Sequence, residues 1–497
     1  MQQNLTLIQF FHWYTAGNSF LWQHFAEQAP YLQKLGITGA WLPPATKAAS
    51  GGTSVGYDIY DLWDLGEFDQ QGGIATKYGT KQAYITAVKA AQDNNIAVYA
   101  DTVLNHKAGA DNIEKMTVRK VNLDNRNEFI SEPFEIEAYT KFTFPGRGGK
   151  YSQFEWNYEC FSGIDWAKDM DEKAIYNIMN SHGDDWEEVI EDEMGNFDYL
   201  MYADIEYRNY EVREEVKRWG EWFINETDVN GFRLDALKHI PPRFIKEFVE
   251  HVQHFCTKPL FIVGEYWNTY NPDKLLEYLD VTGAKIQLFD APLQTNFHSA
   301  SKAGKDYDLR TIFDNTLVKN TPLFTVTLVE NHDSQPLQAL EAPVDAWFKP
   351  LAYALILLRV DGIPMVFYPC LYGATYKDFG KDGNEYEIFM AKVAGIEQLL
   401  QARNLYAYGT QKDYLDHPNC IGWIREGIDE LENSGCAVVL CNGNEGYKTM
   451  QIGKQFVGKT FIDIIGNRQE EITINNNGEA EFRCNGGSVS VWVVKTI

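Results

Sequence analysis

Eight short apolar runs, most of them separated by helix-like stretches, limit what this chain can fold into. They are residues 5–11, 39–42, 96–103, 231–235, 260–265, 285–289, 324–329 and 364–368, and they favour β-branched and aromatic side chains. Between them, 20–35, 81–94, 212–226, 242–256 and 347–360 carry apolar residues at helical spacing. Pro241 and Pro242 stand at the first turn of one of these, where a helix tolerates proline. Strands alternating with helices in this way predict an α/β chain built on a (β/α)8 TIM barrel.

Two segments break the rhythm. Residues 105–206 are rich in Tyr, Trp, Gly and acids and show no clean helical repeat. A stretch that long must be a folded insertion rather than a connector, here an irregular β-rich domain placed after the third strand. After about residue 400, short strand-like runs alternate with turn clusters such as Asn475-Asn476-Asn477-Gly478, which predicts an antiparallel β-sandwich. The expected division is 1–104 and 207–400 for the barrel, 105–206 for the insertion and 401–497 for the C-terminal domain.

Composition narrows the function. A net charge of -26 would repel a phosphate backbone, so no nucleic-acid partner is expected. The 13 Trp and 28 Tyr exceed what packing alone needs, and flat aromatic faces suit sugar rings. The apolar run 351–358 is too short to cross a bilayer, and Met1-Gln2-Gln3-Asn4 shows no signal-peptide pattern. Seven cysteines without paired spacing fit a reducing compartment. A cytoplasmic monomer is the expectation, with a mature secreted form behind Met1 as the alternative.

In barrel enzymes the chemistry sits at the C-terminal ends of the strands. Those ends read Asp101-Thr102-Val103-Leu104-Asn105-His106, then Gly231-Phe232-Arg233-Leu234-Asp235-Ala236-Leu237-Lys238-His239. They continue with Gly264-Glu265-Tyr266-Trp267 and Glu330-Asn331-His332-Asp333. Arg233 and Asp235 project to one side of their strand. An arginine beside an aspartate is expected to lower the carboxyl pKa and keep a nucleophile ionised. Three carboxyl groups from three strands, Asp235, Glu265 and Asp333, would share one rim. A nucleophilic carboxylate and a second carboxyl acting as acid then base make a retaining glycosidase.

These four segments, in this order, resemble the signature regions of the α-amylase family of glycoside hydrolases. The likeness extends to residues 57–68, 77–80, 144–148, 195–204 and 485–491, and so over nearly the whole chain. It is greatest toward the liquefying bacterial α-amylases and the intracellular enzymes related to them. The resemblance implies retaining endo-hydrolysis of internal α-1,4 bonds in starch, glycogen or maltodextrins through a covalent glucosyl-enzyme. Transfer to a sugar acceptor, a glucanotransferase activity, stays open on the same residues.

By the same resemblance Asp235 is the nucleophile, Glu265 the acid and then base, and Asp333 the carboxylate that steadies the positive charge and holds sugar hydroxyls. His106, His332 and Arg233 serve the sugar or the nucleophile at the cleavage point, and Tyr57 stacks under that ring. Lys238, His239 and Trp267 line the leaving-group side. A structural calcium ion is implied on Asn105, Asp198, Asp204 and the carbonyl of His239, oxygen donors that suit a hard cation. Glu206 and Arg208 stand where the liquefying enzymes carry aspartates for a further metal, so the resemblance does not extend to a second ion there. Nor does it extend to a metal where Pro418, Asn419 and Asn442 replace histidine and aspartates.

Overall fold

The computed structural model describes residues 4–495. The reading of the N-terminus falls mainly on Met1, Gln2 and Gln3, outside the described residues.

All eight apolar runs form parallel strands of one closed barrel. They are β1 (Leu7–Gln9), β2 (Gly39–Leu42), β3 (Ala97–Thr102), β4 (Gly231–Leu234), β5 (Phe261–Gly264), β6 (Gln287–Phe289), β7 (Thr325–Leu328) and β8 (Ile363–Phe367). β1 pairs with both β2 and β8, which closes the ring and removes every open edge. Helices cover the outside, among them α1 (Leu21–Lys34), α2 (Lys81–Asp93), α3 (Tyr210–Thr227) and α4 (Pro242–Phe255). α2 starts where the Thr80 hydroxyl accepts from the Ala83 N–H, and α3 where the Asn209 side chain accepts from Glu211 N. α4 begins on Pro242, as its sequence predicts.

Gly231 opens β4 at a point of close approach. A Cβ there would lie 1.7 Å from the Phe261 carbonyl oxygen, so only glycine lets β4 enter beside β5. This entry sets the register that places Arg233 opposite Asp101 on one side and Val263 on the other.

The segment between β3 and α3 is more regular than its composition suggests. It holds a six-stranded antiparallel sheet, in the order His106–Lys107, Ala203–Ile205, Phe161–Ala167, Glu172–Ile178, Asn112–Lys120, Phe134–Lys141. Lys107 anchors it: its ammonium donates to the Tyr60 carbonyl at 2.6 Å and lies over the rings of Phe142, Phe144 and Trp156. Burial, the main cause, lowers its pKa to about 8.

The C-terminal part is a six-stranded antiparallel sheet faced by a ribbon of Gly446–Gln451 and Glu479–Cys484. Strand Cys436–Cys441 shows why two layers form: Cys436, Val438 and Leu440 pack toward the barrel, while Ala437, Val439 and Cys441 pack toward the ribbon. Asn442 Nδ2 donates to the carbonyls of Gly304 and Tyr307, and Asn419 Nδ2 to that of Lys305, so carboxamides tie this sheet to the barrel. The seven cysteines are free thiols. Among the described residues no helix is long and apolar enough to cross a membrane.

Candidate active site

Arg233 is the hub. Its side chain has no exposure to solvent, and its charge is met by carboxylates from three neighbouring strands. Nη1 donates to Oδ1 of Asp101 on β3 and to Oδ1 of Asp235 just past β4. Nη2 lies 2.8 Å from Oε2 of Glu265, just past β5, as a close ion pair rather than an aligned hydrogen bond. Glu265 Oε2 also accepts from the backbone N–H of Ala236 at 3.2 Å. The bonds to Asp235 fall on Oδ1 and those to Glu265 on Oε2, so Oδ2 and Oε1 are the oxygens left for chemistry.

The expected lowering of the Asp235 pKa is not what this packing gives. Burial pushes Asp235 up to about 8, with Glu265 and Asp101 adding to the rise and Arg233 opposing it. One guanidinium cannot offset removal from water and two neighbouring acids. Asp101 also rises, through burial, against the pull of Arg233 and a hydrogen bond from Tyr57. Asp333 rises by burial and by repulsion from Glu265 and Asp235. Acids so close titrate as a set rather than one by one.

Tyr57 donates its hydroxyl to Asp101 Oδ2 at 2.6 Å, and Trp41 Nε1 donates to the same oxygen at 3.0 Å. The Tyr57 ring lies in a stack with His332 (centroids 5.1 Å) and Trp13 (5.9 Å, planes parallel within 1°). His332 Nδ1 is 3.1 Å from Gln9 Nε2, and His332 Nε2 is 3.4 Å from Asp333 Oδ2. Burial, helped by the charge of Arg233, holds His332 well below the usual histidine range, so its ring is neutral. His106 is also neutral, lowered to about 4 by burial, and its Nε2 donates to the Tyr57 carbonyl.

Lys238, His239 and Trp267 lie where residues 190–197 meet the loops after β4 and β5. His239 Nδ1 donates to the Phe197 carbonyl at 2.6 Å, and the Lys238 ammonium sits over the Phe197 ring. Lys238 also faces Glu193 at 3.4 Å. Glu191 accepts from Tyr266 and Asn268, which flank the half-buried Trp267.

Asn105 and Asp204 are in contact, and Asp198 is near enough to Asp204 to raise its pKa, although among the described residues no three or more His, Cys, Asp or Glu side chains are grouped to hold a metal ion. Asn105 Nδ2 donates to Asp204 Oδ1, and Ser162 donates to Asp204 Oδ2. Asn105 Oδ1 is buried and has no hydrogen-bond partner among the described residues. Burial and the mutual repulsion of Asp198, Asp204, Glu187 and Glu206 raise Asp204 and Glu187, and burial lifts Asp198 to about 7. An orphan carboxamide oxygen beside carboxylates that repel one another is an arrangement a hard cation would relieve.

Gln9, Trp13, Trp41 and the role of Asp101 escape a reading of the sequence. Gln9 is a polar residue inside an apolar strand, which is a signal of sorts. The partners of the others lie on distant strands, and nothing local marks them.

A closed (β/α)8 barrel with a carboxylate rim at the C-terminal strand ends defines a class of barrel enzymes with acid–base chemistry. The model of the α-amylase catalytic domain matches residues 21–398, and that of the α-amylase C-terminal domain matches 437–493. The chain belongs to the α-amylase family. It is 53% identical over 496 residues to the cytoplasmic α-amylase of Escherichia coli K12, covering all of both chains. It is 48% identical to an α-amylase of Geobacillus stearothermophilus, over 99% of this chain and 87% of that one. Among solved structures, the α-amylase of Geobacillus thermoleovorans superposes with a TM-score of 0.64 at 17% identity, over 99% of this chain and 98% of that one, a likeness of fold.

Proposed function

We propose that this enzyme hydrolyses internal α-1,4-glucosidic bonds of starch, glycogen or maltodextrins with retention of configuration. The observation that carries the reading is Arg233, which holds Asp235 and Glu265 against one guanidinium group. Retention needs the two carboxyl groups ~5–5.5 Å apart, close enough to exclude water from between them.

Asp235 Oδ2 attacks the anomeric carbon as Glu265 Oε1 gives its proton to the leaving glycosidic oxygen. The C–O bond to the leaving chain breaks, and a glucosyl ester forms on Asp235. Glu265, now a carboxylate, takes a proton from water, whose oxygen attacks the same carbon and releases Asp235. Asp333, at the cleft beside His332, faces the oxocarbenium-like charge that builds in both steps and binds sugar hydroxyls. Neutral His332 and His106 serve as hydrogen-bonding groups rather than acids. Tyr57, with its hydroxyl fixed on Asp101, presents an aromatic face to the sugar ring. Lys238, His239 and Trp267 hold the departing chain.

Asn105, Asp198, Asp204 and the carbonyl of His239 would hold calcium, and the unpartnered Asn105 Oδ1 supports that assignment. When bound, the ion supplies positive charge that locks the inserted sheet to the loop after β4; the bond-breaking groups are all side chains. The assignment of 105–206 and 401–497 as separate domains follows the two sheets flanking the barrel. Similarity to an enzyme named as cytoplasmic supports a cytoplasmic location.

The test is product analysis on soluble starch and maltoheptaose beside Asp235→Asn. Short maltooligosaccharides from wild type and none from the variant support the reading. Products longer than maltoheptaose would replace it with transglycosylation.

A further inference from the structure

The acidic cluster under the inserted sheet carries its own cation. Glu187, Asp198, Asp204 and Glu206 are each less than 5% exposed. Arg208 closes on Glu206 through Nε to Oε1 at 2.8 Å and Nη2 to Oε2 at 2.6 Å. The same guanidinium reaches the side chain and carbonyl of Asp185 at 2.7 and 2.9 Å, so it is held on both edges. The fold leaves room for it: a Cβ on Gly183 would lie 2.2 Å from Arg208 Cζ, although the Gly183 backbone is not left-handed. Arg126 is the second cation here; it faces Asp198 and Asp204 and donates to the Tyr199 carbonyl.

The two sides of the cluster differ. Arg208 meets both oxygens of Glu206, whereas the hydrogen bonds to the side chains of Asp198 and Asp204 come from neutral donors, Glu187 N, Asn105 Nδ2 and Ser162 Oγ. Asn105 Oδ1, buried and unpartnered, marks the end of the cluster where a divalent ion belongs. Glu206, by contrast, has its two oxygens occupied by Arg208 and by Asn180 Nδ2 at 3.3 Å.

We infer that Arg208 is a built-in counter-ion that closes the Glu206 side of the cluster, so that the chain takes one divalent cation there and no second. The inference rests on the calcium reading above. Because the guanidinium is covalently part of the chain, this side of the cluster stays neutralised when calcium is scarce.

The test is calcium bound per chain, measured by plasma mass spectrometry after equilibrium dialysis, together with the thermal midpoint as a function of free calcium. Wild type should hold one ion. Arg208→Asp should hold two, since it returns a carboxylate and removes a fixed positive charge. Arg208→Gln should unfold at lower temperature in chelator and regain more of that loss with calcium than wild type does, whereas Arg208→Lys should stay near wild type. If Arg208→Asp does not fold, Arg208→Gln carries the test. Two ions on wild type, or an Arg208→Gln midpoint with wild-type calcium dependence, would overturn the role of Arg208. No ion on wild type at millimolar calcium would overturn the calcium reading itself, and Asn105→Ala, expected to lose the single ion, separates that case.

Discussion

Asp101 and Asp235 share one nitrogen of Arg233, which donates to Oδ1 of each, at 2.8 and 2.5 Å. The backbone fixes this arrangement, because Arg233 lies opposite Asp101 in the pairing of β3 with β4. Asp235 is therefore oriented, through Arg233, by an acid from the neighbouring strand.

Asp101→Asn should lower kcat by about 10- to 100-fold, through loosened positioning of Arg233 and Tyr57. It should also move the acidic limb of the pH profile. Asp101 adds to the rise of the Asp235 pKa, so removing its charge lets Asp235 ionise at lower pH, and the limb shifts down. A kcat/KM profile from pH 4 to 9 checks both effects.

His332→Asn should lower kcat/KM by roughly 10-fold or more and leave the shape of the pH profile unchanged. The ring is held neutral, so no limb of activity belongs to it. Gln9→Leu should give a milder loss, since Gln9 only orients the ring across a 3.1 Å contact. A profile that loses a limb in His332→Asn would contradict the neutral assignment.

How much of this was legible in the sequence depended on where each residue's partner lies. The eight barrel strands stood out because each is a run buried on both faces, as in the all-buried Gly231–Leu234. The inserted sheet did not. Its strand Phe134–Lys141 buries only Ile136, Ala138 and Thr140 in alternation, and Asn112–Lys120 is mostly polar, so neither reads as an apolar run. The strand-end acids were visible in their motifs, but the pKa of Asp235 was not. Adjacency to Arg233 is written in the sequence, whereas the depth of burial and the approach of Glu265 come from the closed barrel.

Behind the Asn331-His332-Asp333 turn, Glu330 is fully buried and, among the described residues, its ion-pair partner is Lys349, at 2.7 Å. Lys349→Met leaves that carboxylate unpaired and should cost about 3–5 kcal/mol of stability. Denaturant unfolding measures the loss. Glu330→Gln with Lys349→Met should recover much of it, because the buried charge goes with its partner.

Calcium removal should lower the thermal midpoint and leave kcat of the calcium-replete enzyme recoverable on adding the ion back. An ion held at about 1,000 times its Kd adds about 4 kcal/mol to the folded state. Asn105→Ala should remove most of the difference between chelator and calcium.

The central claim is that Asp235 and Glu265 act as a retaining pair held by Arg233. The most direct test is proton NMR of the anomeric signals in the first minutes of maltoheptaose cleavage. The account predicts that the newly formed reducing ends appear first as the α-anomer and drift to the equilibrium mixture. Ends that appear first as the β-anomer would mean direct displacement by water, and would contradict the covalent role given to Asp235.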